Sequence, residues 1–152
     1  MKKFEKINHC VSAGGVVYRF NSENLQVLIC GRDNSNLWAL PKGTPAVGEN
    51  IMDTALREVN EETGINIVLE DIIGSIGYNF SDIKSRFLIN QKIVFYYLMI
   101  PTGGDISNHD DEFDRVVWID YEEAKNILTY KDEVLILAKA ISMVQKGRTN
   151  SY

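Results

Sequence analysis

The sequence predicts an α/β domain in which a mixed β-sheet is sandwiched by helices. Three observations carry this reading. β-rich segments stand both early and late in the chain, one capped amphipathic helix separates them, and the C-terminus is helical. The 152 residues suit one domain with one core, spanning 1–152. With 45% apolar and 24% charged residues, neither a disulfide nor a metal is needed to reach stability.

The elements follow in order. VSAGGVVYRF at 11–20 reads as a strand that turns at Asn21–Asn24 into LQVLIC at 25–30. Residues 31–36 form a polar loop, and WAL at 38–40 is a short strand ended by Pro41. From Gly43 to Glu49 glycines and a proline mark an irregular loop. Residues 51–63 are the clearest helix, with Asn50 as N-cap, Asp53 three residues on in the manner of a capping box, and Gly64 at the left-handed stop. INIVLEDIIGSIGYNF at 65–80 is extended, with Gly74 and Gly77 as bulge or bend points. QKIVFYYLMI at 91–100 is apolar on both alternating faces, as in a strand covered on both sides, and RVVWI at 115–119 is a further strand. Two helices close the chain, at 121–128 and 132–146. In the second, Val134, Leu135, Leu137, Ala138, Ile141 and Val144 keep helical spacing. Trp38 and Trp118 are expected in the core, and His9 and His109 in solvent.

The bulk properties exclude several classes. A net charge of −5 speaks against a broad footprint on nucleic-acid phosphates, so no stable nucleic-acid complex is expected. A small phosphorylated substrate stays open, because a bound divalent cation can reverse the local field. Cys10 and Cys30 are expected as reduced thiols in apolar strands. The N-terminus lacks the continuous apolar stretch of a secretory signal, and IVFYYLMI at 93–100 is too short to span a bilayer. A cytoplasmic enzyme, monomeric or homodimeric, fits these features.

The chemistry is concentrated in GTPAVGENIMDTALREVNEETGI at 43–65. At about 100° per residue, Glu58, Glu61 and Glu62 fall within an arc of about 100°. Ile51, Met52, Ala55, Leu56 and Val59 occupy the adjoining arc, and Asp53, Arg57 and Asn60 the solvent side. The carboxylates thus stand where a buried face meets water. Like charges at this spacing destabilise a helix by a few tenths of a kcal/mol, a cost a cation among them would remove. Magnesium suits the position, since it takes oxygen ligands and is typically shared between carboxylates and substrate phosphates. Arg57, four residues before Glu61, can orient that carboxylate. Taken alone, the string is also compatible with a solvated acidic face.

The wider spacing decides between these. Gly43, five residues, Glu49, seven residues, then Arg57-Glu58-Val59-Asn60-Glu61-Glu62-Thr63-Gly64-Ile65 matches every position of the Nudix box. The chain therefore resembles the Nudix hydrolases. The resemblance implies an α/β/α sandwich with a mixed sheet and a loop-helix-loop catalytic motif. It also implies magnesium, with manganese as a substitute, held by Glu58, Glu61 and Glu62, with the Gly43 carbonyl as a further ligand. Family members often add a carboxylate just before a late strand. Glu112, in DDEFDRVVW, holds the comparable place here, with Asp110 and Asp111 crowding it. The reaction implied is attack of an activated water on phosphorus, with Glu61 as proton acceptor, Glu62 beside it, and Glu49 in support at the helix N-terminus.

SAGGVVY, WALPKG, IGSIGYNF, QKIVFYYLM and ILTYKDE together look most like the bacterial diadenosine tetraphosphate hydrolases. That likeness implies asymmetric cleavage to ATP and AMP. Lys42 would stand beside the phosphate chain and Tyr78 would stack on adenine, with Tyr130 and Lys131 as a second pair. Lys84 and Arg86 are candidates for distal phosphates. Nucleoside triphosphate sanitation, RNA 5′ pyrophosphate removal, cleavage of ADP-ribose or diphosphoinositol phosphates, and nucleotide sensing without turnover remain the alternatives.

Overall fold

A computed structural model of the chain describes residues 6–81 and 88–149. Its strands are β1 (Lys6–Asn21), β2 (Asn24–Arg32), β3 (Leu37–Ala39), β4 (Lys42–Gly43), β5 (Ile65–Ser81), β6 (Leu88–Gly104) and β7 (Arg115–Asp120). The helices are α1 (Ile51–Thr63), α2 (Tyr121–Ile127) and α3 (Lys131–Thr149), with a 3-10 turn at Ile106–Asn108.

The sheet runs β3-β2-β1-β6-β5, with β4 added to β1 and β7 to β2. β1 and β6 are parallel, and the other pairs antiparallel, so the sheet is mixed. Strand alternation sends neighbouring residues to opposite faces. Val16, Ile29 and Leu98 pack with Leu137, Ala140 and Ile141 of α3, whereas Val17, Leu28 and Met99 pack with Ala55 and Val59 of α1. The result is the expected α/β/α sandwich, with α1 on one face and α2 and α3 on the other.

α1 has the caps its sequence specifies. Asn50 accepts the Asp53 N–H at 2.9 Å, and its amide in turn meets the Asp53 carboxylate at 2.9 Å. Gly64 stops the helix at φ 76°, a left-handed conformation, and a Cβ there would overlap the Asp105 carbonyl.

Several side chains lie elsewhere than the periodicity placed them. Met52 is 51% exposed and Leu135 68% exposed, while Ile136 and Ala140 take the buried positions of α3. Apolar residues line more of α3 than its packing partner can cover, so periodicity alone misassigned the seam. Gly74 borders a bulge that turns Ile73 into the core, but Gly77 stays in the regular ladder opposite Ile93, and Glu70 forms a bulge of its own. Trp38 and Trp118 are half-buried at the rims of the two core clusters, and His109 is half-buried at the end of the 3-10 turn. Cys10 and Cys30 are both free thiols. Among the described residues no helix is long and apolar enough to cross a membrane.

Candidate active site

Residues 42–49 and α1 are built around one arginine. Arg57 donates to both Glu49 oxygens, at 2.8 and 2.9 Å, to Glu58 at 2.9 Å, to Glu61 at 3.2 Å and to the Thr44 carbonyl at 3.0 Å. Glu49 also accepts from Thr54 Oγ1 at 2.7 Å and the Ala46 N–H at 3.1 Å. These donors hold its carboxyl at about 2, well below the usual range. The sequence placed Arg57 on the solvent side of the helix and Glu49 at the helix dipole. In the structure the loop folds over Arg57, and Glu49 acts through that arginine as a bidentate partner.

The three α1 carboxylates form a gradient. Glu61 is 46% exposed and Glu58 17% at the side chain, while Glu62 retains 5%. Glu58 closes against Gly43 so tightly that a Cβ there would overlap its carboxyl group. Glu62 accepts the Lys42 N–H at 2.9 Å. Burial, with Glu58, Asp110 and Glu112 nearby, pushes its carboxyl up to about 8 against the Lys42 bond.

Asp110 and Glu112 belong to the same group. The Asp110 N–H donates to the Glu61 carbonyl at 2.9 Å, and Asp110 accepts the Glu112 N–H at 3.0 Å. Arg32 pairs with Glu112 at 2.7 Å and lies over the Phe113 ring. Clustered carboxylates, from the buried Glu62 to the exposed Glu61, Asp110 and Glu112, offer oxygen donors alone and fit a hard divalent cation. Among the described residues no three such groups converge closely enough to hold an ion as they stand, because Arg57 and Arg32 draw Glu58, Glu61 and Glu112 to themselves.

Of the cavities that adjoin this group, two meet on its Lys42 side. One, of about 280 Å³, is walled by Gly43, Thr44, Glu62 and Glu112, with Lys42, Lys92, Arg32, Ser12 and Tyr130. The other, of about 350 Å³, is lined by Lys42, Ile76, Tyr78, Tyr130, Asp132 and Glu133. They share Lys42 and Tyr130. The structure thus brings Lys42, Tyr78 and Tyr130 together beside the acidic group. Lys131 lies exposed at the first residue of α3 and lines neither cavity. Lys84 and Arg86 fall outside the described residues.

Sequence reasoning missed Lys92, which sits inside an apolar strand and reaches the cavity because the parallel register sets it beside Cys10 and opposite Tyr78. Burial and the Lys42 charge lower its ammonium pKa. It also missed Arg32 and Ser12, which come from β2 and β1. No local pattern marks either one.

Comparison with known proteins gives this geometry a context. The model of the NUDIX domain family matches residues 8–139. An 8-oxo-(d)GTP phosphatase of Mycolicibacterium smegmatis is 33% identical over 147 residues, covering 90% of this chain and 43% of that protein. Nudix hydrolase 10 of Arabidopsis thaliana is 32% identical over 128 residues, covering 84% and 43%. The chain therefore spans less than half the length of these curated relatives. In fold it is similar to a crystal structure of a C. elegans Ap4A hydrolase binary complex, with a TM-score of 0.70 and 22% identity over 90% of this chain and 98% of that one.

Proposed function

The chain belongs to the NUDIX domain family, and from that premise we propose that it hydrolyses a phosphoanhydride bond in a nucleoside polyphosphate, with diadenosine tetraphosphate cleaved to ATP and AMP as the favoured substrate reading. The observation that carries the proposal is the junction of the two cavities. A chamber walled by Glu62 and Glu112 together with Arg32, Lys42 and Lys92 meets a tyrosine-flanked chamber at Lys42 and Tyr130. That division suits a nucleoside polyphosphate, with one adenine between the tyrosines and the phosphate chain running past Lys42 toward the α1 carboxylates.

Nudix hydrolases generally work with divalent metals. Here Glu58, Glu61, Glu62 and the Gly43 carbonyl, with Glu112 from the β7 approach, would hold Mg2+ or Mn2+. When bound, the cation supplies neutralisation of the anhydride oxygens and polarises the reacting phosphorus centre. The chain's own residues do the rest. Lys42 and Lys92 set two positive charges along the phosphates. Tyr78 and Tyr130 offer stacking surfaces, worth about 1–3 kcal/mol per base. Arg57 orients Glu58 and Glu61, and Glu61, the most exposed of the three, accepts the proton of the attacking water. Glu62, already bonded to the Lys42 N–H, holds the loop against α1.

The similarity to the 8-oxo-(d)GTP phosphatase of M. smegmatis favours a second reading, nucleoside triphosphate sanitation. A product-resolved turnover screen with Mg2+ separates the two. It includes diadenosine tetraphosphate, 8-oxo-dGTP, ADP-ribose and diphosphoinositol phosphates. ATP and AMP forming well ahead of other products support the first reading. A preference for 8-oxo-dGTP transfers the same chemistry to the second, and silence across the panel leaves a nucleotide-sensing domain.

A further inference from the structure

The segment that carries Lys42 and Gly43 is gripped from two sides of the sandwich. Pro41, at its centre, has no N–H, so the flanking amides of Leu40 and Lys42 must find their own acceptors. Lys42 N–H goes to Glu62 of α1 at 2.9 Å, and Leu40 N–H goes to Glu133 of α3 at 2.5 Å. The Pro41 carbonyl accepts from Gly15 N at 3.2 Å. Upstream, Trp38 N donates to Thr129 Oγ1 at 2.9 Å, and Thr129 N donates to the Trp38 carbonyl at 3.0 Å. The approach to the site is therefore stitched to the α2–α3 connection, with Glu133 as the last stitch before Lys42.

Glu133 is an unusual residue for that place. It is 1% exposed, on a helix face whose other buried members, Ile136, Leu137 and Ala140, are apolar. It also lines the cavity shared by Lys42, Tyr78 and Tyr130. Burial raises its carboxyl, while the Leu40 N–H and the charge of Lys42, which lines the same cavity, pull it back.

We propose, resting on the hydrolase reading, that Glu133 is a positioning residue for the reaction. Through the Leu40 N–H it fixes the Leu40–Gly43 segment from the C-terminal helix, so that Lys42 and Gly43 meet the α1 carboxylates in place. It touches no reacting atom and acts through the backbone it holds.

Two variants of the full chain test this, Glu133→Gln, which keeps an acceptor of the same reach, and Glu133→Asp, which withdraws it by one methylene. Steady-state kinetics on diadenosine tetraphosphate is measured well below each melting temperature, alongside the Leu40 amide resonance. A displacement of the segment on the order of 1 Å should lower kcat of the Asp variant by about 10- to 100-fold, with the Gln variant within about threefold of wild type. The Leu40 amide proton should move upfield in the Asp variant as the short bond to the Glu133 carboxyl is lost. A residue that served stability alone would lower the melting temperature and leave kcat in place. Unchanged kcat in a folded Asp variant whose Leu40 resonance has moved overturns the proposal. So does a Gln variant as impaired as the Asp variant. If the Asp variant does not fold, the Gln variant decides, and loss of its turnover counts against the inference. Absence of wild-type turnover on diadenosine tetraphosphate and on every other substrate of the panel removes the hydrolase reading itself, and this inference with it; where another substrate of the panel is turned over, the same kinetics are read on that one.

Discussion

Replacing Glu62 by glutamine should stabilise the cation-free protein and remove its turnover. Glu62 is 5% exposed, and its surroundings push its carboxyl from 4.5 to about 8. A folded-state pKa raised in this way means the folded protein prefers the protonated acid. Its contribution is fully present below pH 4.5 and is lost as pH rises through 8. Across that window each pH unit costs the folded state about 1.4 kcal/mol relative to the unfolded chain, or about 3 kcal/mol by pH 7. Water at the cavity mouth softens the penalty, so a difference of about 2 kcal/mol is expected, equivalent to about 4–8 °C in melting temperature for a chain of this size. Glutamine keeps a carbonyl oxygen for the Lys42 N–H, so the loop retains its anchor. The assay is urea unfolding of both proteins in EDTA at four pH values from 5 to 8. The stability advantage of the variant should grow with pH, and saturating Mg2+ should erase it by restoring the wild type. A difference that stays flat with pH, or a variant less stable at pH 8, would refute the burial argument for this carboxylate.

Other perturbations separate the parts of the site. Gly43→Ala forces a Cβ into the Glu58 carboxyl, and kcat should fall by about 100-fold with little change in melting temperature. Near-normal steady-state rates would show that Gly43 and Glu58 need not touch. Tyr78→Ala should weaken binding of adenine nucleotides by about 5- to 100-fold and leave inorganic polyphosphate unaffected, as read by titration calorimetry. Equal losses for both ligands would remove the stacking role.

What the sequence disclosed, and what it hid, follows the range of the interactions. α1 was legible to its ends because its signals are local: Asn50 caps three residues on, and Gly64 stops the helix by its own φ. The sandwich was legible because strand alternation and helical spacing are properties of short windows. The Glu49–Arg57 pair was not, since it spans eight residues and depends on how the intervening loop folds. Nor was Lys92, whose access to the cavity is set by parallel pairing with a strand some eighty residues earlier. The crowding of Asp110, Asp111 and Glu112 could be sorted only in three dimensions, where Arg32 takes Glu112 and Asp110 caps it. Glu133 carried no local signal, and its burial follows from the Leu40 backbone it meets between β3 and β4.

The most direct test of the central proposal is the metal dependence of turnover with diadenosine tetraphosphate. Wild type and the Glu62→Gln variant are compared in Mg2+ and in EDTA, with products resolved by chromatography. We expect ATP and AMP in equal amounts from wild type in Mg2+ and essentially none in the other three conditions. Equal rates in EDTA, or a Gln variant as fast as wild type, would contradict a cation-assisted reaction at the α1 carboxylates.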